Sequence, residues 1–235
     1  MSSASVSVPP PQVRHQGPPL GMLAVVWTGL FCAGLAAVLA GTPRFPRPEE
    51  PASAVTAFFL ARTNAVIVCS WLQFGSSIVL GILTASAVNQ MRFLGVRAAG
   101  VNIALFGGFT ASMLGVVAAL AMWTLTRPGI ANDASLASVL YSLDFGLGGV
   151  GYSVPLGLLI AGLAITAGFS RLLPKWIVVS GIVVAVFGEV SSLTLIVPKL
   201  VVLIPLTRFP GFLWLIAAGF ALPRKTKVRR GMGDQ

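Results

Sequence analysis

Residues 136–170 read LASVLYSLDFGLGGVGYSVPLGLLIAGLAITAGFS, and Asp144 is the single charged side chain in the run. An apolar stretch well beyond the roughly 20 residues that cross a hydrocarbon core predicts a transmembrane helix. The rest of the chain repeats the pattern. Of 235 residues, 56% are hydrophobic and 9% charged, and mean hydropathy is +0.90. That balance describes one integral membrane domain and leaves no room for a second, soluble one.

Outward from this run, the other spans are bounded by prolines and charges. Residues 1–19 are rich in Ser, Pro and Val and carry Pro9, Pro10, Pro11, Pro18 and Pro19, which predicts a disordered tail. The first apolar run, 20–41, contains Val38-Leu39-Ala40, similar to a leader cleavage site, but its length favours an uncleaved span. Residues 42–51, with Arg44, Arg47, Glu49 and Glu50, form a loop outside the hydrocarbon. A second helix is expected from Ala52, crossing over 64–86, and a third over 98–125. The fourth covers 136–170 with a kink at Pro155. The fifth runs over 176–196, and the sixth ends at Leu222 before a basic tail, 223–235. The expected fold is therefore all-α: a polytopic membrane protein with six transmembrane helices in a compact bundle spanning 20–222.

The net charge of +10 comes from 16 Lys and Arg against six acids. These basic residues flank spans and form no interleaved basic and aromatic patch, so they read as topology determinants and no nucleic-acid partner is expected. Ten of the 16 fall on the side of the two termini: Arg14, Arg92, Arg97, Arg171, Lys175 and five in the tail. This places both termini in the cytoplasm. The cluster Arg224–Arg230 suits either contact with anionic lipid or simple stop-transfer. Cys32 and Cys69 lie in apolar segments with no neighbouring ligand residues, so neither a disulfide framework nor a metal or cofactor is expected.

Lipid gives helices no hydrophobic drive to associate, so close packing relies on small side chains. They recur at four-residue spacing as Gly29, Ala33, Ala37, Gly41 in the first span, Gly107, Ala111, Gly115, Ala119 in the third, and Gly149, Ser153, Gly157, Ala161 in the fourth. All three rows are expected to be packing ridges. The alternative, that they line a narrow pore or crevice, is the less common use of such rows.

Asp144 and Glu189 are the two acids inside apolar sequence, and intramembrane charge marks function by default. At about 1.5 Å per residue, both fall about 10 Å below the outer boundary, in a layer with Gln73 and Arg208. A 3.6-residue period puts Arg62, Cys69, Gln73, Ser76 and Ser77 on one stripe, and sets Tyr141 and Tyr152 on the face of Asp144. The candidate site is therefore a polar cluster of Asp144, Glu189, Arg208, Gln73, Arg62, Tyr141 and Tyr152. One use is an ion pair of Arg208 with Asp144 or Glu189 that only sets register. The other is a cavity that takes a cation, a proton or a small ligand.

An enzyme is not expected. The one histidine, His15, lies in the N-terminal tail, which excludes an intramembrane Ser-His or Cys-His pair. Two acids sharing a water could serve a carboxylate protease, but nothing else supports that chemistry. The favoured expectation is a binding or transport-type bundle; the alternative is an accessory subunit that docks a partner protein or a second copy.

The run Leu173-Pro174-Lys175-Trp176 followed by Gly181, the acid of the fourth helix, and the closing Leu213-Trp214-Leu215-Ile216 with Gly219-Phe220 resemble a family of bacterial six-helix membrane proteins whose domain is of unknown function. The resemblance spans about 20–222 and implies a bacterial inner-membrane location and a six-helix bundle. It implies no reaction and no ligand. The N-terminal Pro-rich tail and the Thr207-Arg208-Phe209-Pro210 break have no counterpart in it.

Overall fold

Hydrocarbon offers backbone groups no water, so a crossing chain must satisfy them within itself. The computed structural model, which describes residues 12–14, 16–47 and 49–227, resolves this with α1 (Leu20–Leu39), α2 (Ala52–Ala61), α3 (Thr63–Phe93), α4 (Ala99–Thr124), α5 (Ala134–Gly148), α6 (Val150–Phe169), α7 (Lys175–Val190) and α8 (Leu203–Ala221). Among the described residues, six spans are long and apolar enough to cross a membrane, α5 and α6 together making one and α2 none. The fold is an all-α polytopic membrane bundle.

The helices form a ring in which α1 neighbours α3, α3 neighbours α4, α4 neighbours α6, α6 neighbours α7, α7 neighbours α8, and α8 returns to α1. Within the α5–α6 span α6 is the core element: the span's most apolar stretch is 72% buried, against 28–44% for the other five spans, whereas α5 buries only Ala137 and Tyr141. The close contacts of α6 are made backbone to backbone. A Cβ on Gly107 of α4 would stand 2.5 Å from the Pro155 carbonyl oxygen, and one on Gly162 of α6 would stand 2.5 Å from that of Gly100. On the other flank, a Cβ on Gly188 of α7 would lie 2.8 Å from the Cα of Gly157. The rows in the third and fourth spans thus pack as ridges.

The row in the first span does not. Gly29 and Ala33 are exposed, and a Cβ on Gly29 would meet nothing within 4 Å. Large rings decide the face of α1 instead: Trp27 and Phe31 both meet Phe212 of α8 edge-on, with centroids 4.6 and 4.9 Å apart. Burying two aromatic side chains removes far more apolar surface than burying a glycine row.

Two helices also break where no break was expected. The second helix breaks at Arg62 (φ −121°, ψ 24°), which separates α2 from α3. The fourth breaks at Gly149 (φ −86°, ψ −98°) and not at Pro155, which sits inside continuous α6. A Cβ on Gly149 would collide with the Phe145 carbonyl oxygen, so this bend requires glycine. The fifth span keeps its expected bounds, its α-helix ending at Val190 and a 3-10 turn, Ser191–Leu195, completing it, while a second 3-10 turn, Pro198–Val202, opens the sixth.

The start of α1 and the end of α8 touch, a Cβ on Gly219 falling 2.8 Å from the Gly21 nitrogen. This brings the flanking segments within hydrogen-bonding reach. Where the N-terminal tail was expected to be irregular, β1 (Gln12–Arg14) pairs antiparallel with β2 (Lys225–Lys227). Both ends of the bundle therefore emerge on one face. Most of the expected tails, residues 1–11 and 228–235, lies outside the described residues.

Overpacking at a tight contact costs about 1–3 kcal/mol. Gly107→Ala is accordingly expected to lower stability by about that amount in detergent thermal unfolding, whereas Gly29→Ala should stay within about 0.5 kcal/mol of the parent.

Candidate functional site

Toward the end of the bundle remote from β1 and β2, the helices part around a cavity of about 210 Å³. Each lining helix contributes its half on that side: α1 through Phe31, Leu35 and Val38, α3 through Cys69, Gln73 and Ser77, and α4 through Gly115, Ala118 and Met122. The break between α5 and α6 supplies Asp144, Gly148, Gly149 and Tyr152, and α8 supplies Arg208.

The Gly149 bend shapes this wall. Backbone bonds cross it from the Gly149 N–H to the Phe145 oxygen and from the Ser153 N–H to the Gly149 oxygen. The carbonyl of Gly148 is left for a side chain, and the Arg208 Nη2 donates to it. A cation at the C-terminal carbonyls of α5 complements the helix dipole. The same guanidinium lies over Phe31, 5.0 Å from the ring centroid, and over Tyr152, 4.8 Å from it. Each such contact contributes about 0.5–2 kcal/mol. The Arg208 Nε is nevertheless buried without a hydrogen-bond partner.

Four of the seven residues singled out from sequence thus share one cavity: Asp144, Arg208, Gln73 and Tyr152. Of the two uses left open by the sequence, the ion pair of Arg208 with Asp144 or Glu189 is not formed. Among the described residues, the one ion pair joins Arg44 to Glu50, at 2.9 Å on the loop. Arg208 is held by a carbonyl and two rings instead, and Asp144 faces the cavity without a cation against it. Gln73 is tied back to α1, its Nε2 donating to the Phe31 oxygen at 3.3 Å.

The other three lie elsewhere. Glu189 is exposed and its carboxylate rests against Gly157 of α6. Because α7 ends at Val190, this acid occupies the last helical turn and does not line the cavity. Arg62 sits at the α2–α3 break, where its Nη2 donates to the carbonyls of Ala37 (3.1 Å) and Ala40. It caps α1, supplying donors to carbonyls that have no intrahelical partner. Tyr141 is buried one layer beyond the cavity, and its hydroxyl donates to the Pro46 oxygen at 2.6 Å.

Tyr141 belongs to a lid that sequence arithmetic did not show. Phe45 stands edge-on to Phe58 and Tyr141, at 5.2 and 5.9 Å, and Phe59 to Tyr141 at 5.8 Å. Phe45 itself lines the cavity, so the loop before α2 roofs it. The apolar wall residues Phe31 and Met122 carried no signal either, since large apolar side chains are the default in any membrane span. Comparison with protein-family models, with curated proteins and with solved structures finds no match.

Loss of one hydrogen bond to a buried carbonyl costs about 1 kcal/mol, a factor of about five. Tyr141→Phe, in a Cys32→Ala background, should therefore speed alkylation of Cys69, which lines the cavity beneath the roof, by about fivefold. An unchanged rate would show that the Tyr141–Pro46 bond does not hold the roof shut.

Proposed function

We propose that this membrane protein is a non-enzymatic, transport-type or ligand-binding bundle that takes a small polar molecule into the Asp144–Arg208 cavity. The observation that carries the proposal is the pairing of charges without contact. Asp144 and Arg208 line one small space yet form no ion pair with each other. Intramembrane charges are costly unless matched. An occupant that meets both supplies the missing match.

The broken α5–α6 span supports the same function. Discontinuous helices inside a membrane place a helix N-terminus and freed carbonyls at the bilayer interior, where they meet charged substrate groups. Here α6 begins at Val150, beside Gly148 and Gly149 of the cavity wall. A bacterial inner-membrane setting, with both termini cytoplasmic, follows from the charge bias and the family resemblance; the cavity then lies in the outer half and its roof faces outward.

A second proposal, an accessory subunit, draws on the outward face of α1. Gly29 and Ala33 are exposed there, in a row suited to close contact with another helix. Asp144→Asn separates the two. If the cavity is a ligand site, native mass spectrometry of the parent in lipid nanodiscs should show a retained small molecule. Its occupancy should fall at least about tenfold in Asp144→Asn while the melting temperature moves by no more than about 3 °C. A parent that retains only a stoichiometric protein, with a variant that loses yield and stability, favours the accessory role.

A further inference from the structure

We infer that the ligand is a zwitterion of amino-acid or betaine size, its anionic group at Arg208 and its cationic group at Asp144. The inference rests on the cavity being a ligand site, and it follows from the charges, the volume and the walls.

One acid and one base line the cavity, so a neutral cavity offers two poles. A lone cation drawn to Asp144 would be repelled by Arg208, and a lone anion at Arg208 would be repelled by Asp144. In a space this small, with little water between, each repulsion offsets most of the attraction. A molecule bearing both charges gains at both ends. Arg208 is oriented for the anionic end because Gly148, Phe31 and Tyr152 hold its guanidinium in place on the cavity wall.

Volume limits the size. A dry cavity of about 150 Å³ holds benzene, so one of about 210 Å³ admits about eight non-hydrogen atoms. Phe31, Leu35, Phe145 and Met122 give an apolar body most of its contacts between the poles, with Gln73 and Ser77 the smaller polar part of the wall. A sugar, with hydroxyls all round, would leave most of them unpaired.

The test uses the full-length protein in lipid nanodiscs and equilibrium dialysis with four probes. L-valine and glycine betaine carry both charges; isovalerate is valine without its amine, and isobutylamine is valine without its carboxylate. At least one zwitterion is expected to bind, with each half-molecule weaker by about tenfold or more. Asp144→Asn should narrow the gap between that zwitterion and isovalerate by about tenfold, since the repelling acid is gone. Isovalerate or isobutylamine binding the parent as tightly as the better zwitterion overturns the inference and leaves the cavity a ligand site. Binding by none of the four overturns both. The parent comparison needs no substitution, so it decides the matter even if a variant fails to fold.

Discussion

Contact between backbones around α6 is the constraint on which the rest of the structure depends. Gly107 against Pro155, Gly162 against Gly100, and Gly188 against Gly157 let α4 and α7 press onto α6 at distances no side chain would permit. In lipid such packing replaces the hydrophobic drive that holds soluble bundles together. Ahead of this clamped helix the span breaks at Gly149. The bend directs α5 toward α2 and the roof, and the cavity is the space left between the bent span and α1, α3 and α8.

The two ends of the bundle differ for the same reason. Near the termini, Gly21 and Gly219 bring α1 and α8 into contact, and the neighbouring residues Met91, Trp214 and Leu215 enclose little more than 20 Å³. At the far end α8 begins late, after two 3-10 turns, and the helices no longer close on one another. Aromatic side chains of the loop and α2 fill the gap from above. A tight lower half and a roofed upper half give a polar cavity that is supported from below, an arrangement in which ligand groups can be held in fixed positions.

Arg208 shows how a charge can be kept inside such a bundle without an acid against it. A guanidinium is weakly hydrated, planar and able to stack, so a carbonyl and two rings can hold it. A lysine has neither the plane nor the fork. The carbonyl is available because the helix is broken, and the break is available because residue 149 is glycine. Backbone geometry and side-chain chemistry are coupled at this one point in the chain.

Class, number of spans and the polar stripe of the third segment were legible in the sequence, because apolar length and 3.6-residue spacing act along a single helix. Asp144, Glu189, Gln73 and Arg208 could be placed in one layer, and Tyr152 on the face of Asp144, for that reason. Whether residues at one depth meet is a different matter. Glu189 shares the layer in sequence arithmetic, Arg62 the stripe and Tyr141 the face, yet none of the three lines the cavity: Glu189 lies against Gly157, Arg62 bonds the end of α1 and Tyr141 bonds Pro46. The row at Gly29 likewise has the spacing of a ridge, yet Trp27 and Phe31 set the face that α1 buries. Sequence alone determined which segments are long and apolar enough to cross a membrane. Only the tertiary structure decided which polar groups face one another, because the rotation of a helix about its axis is set by the surfaces packed against it.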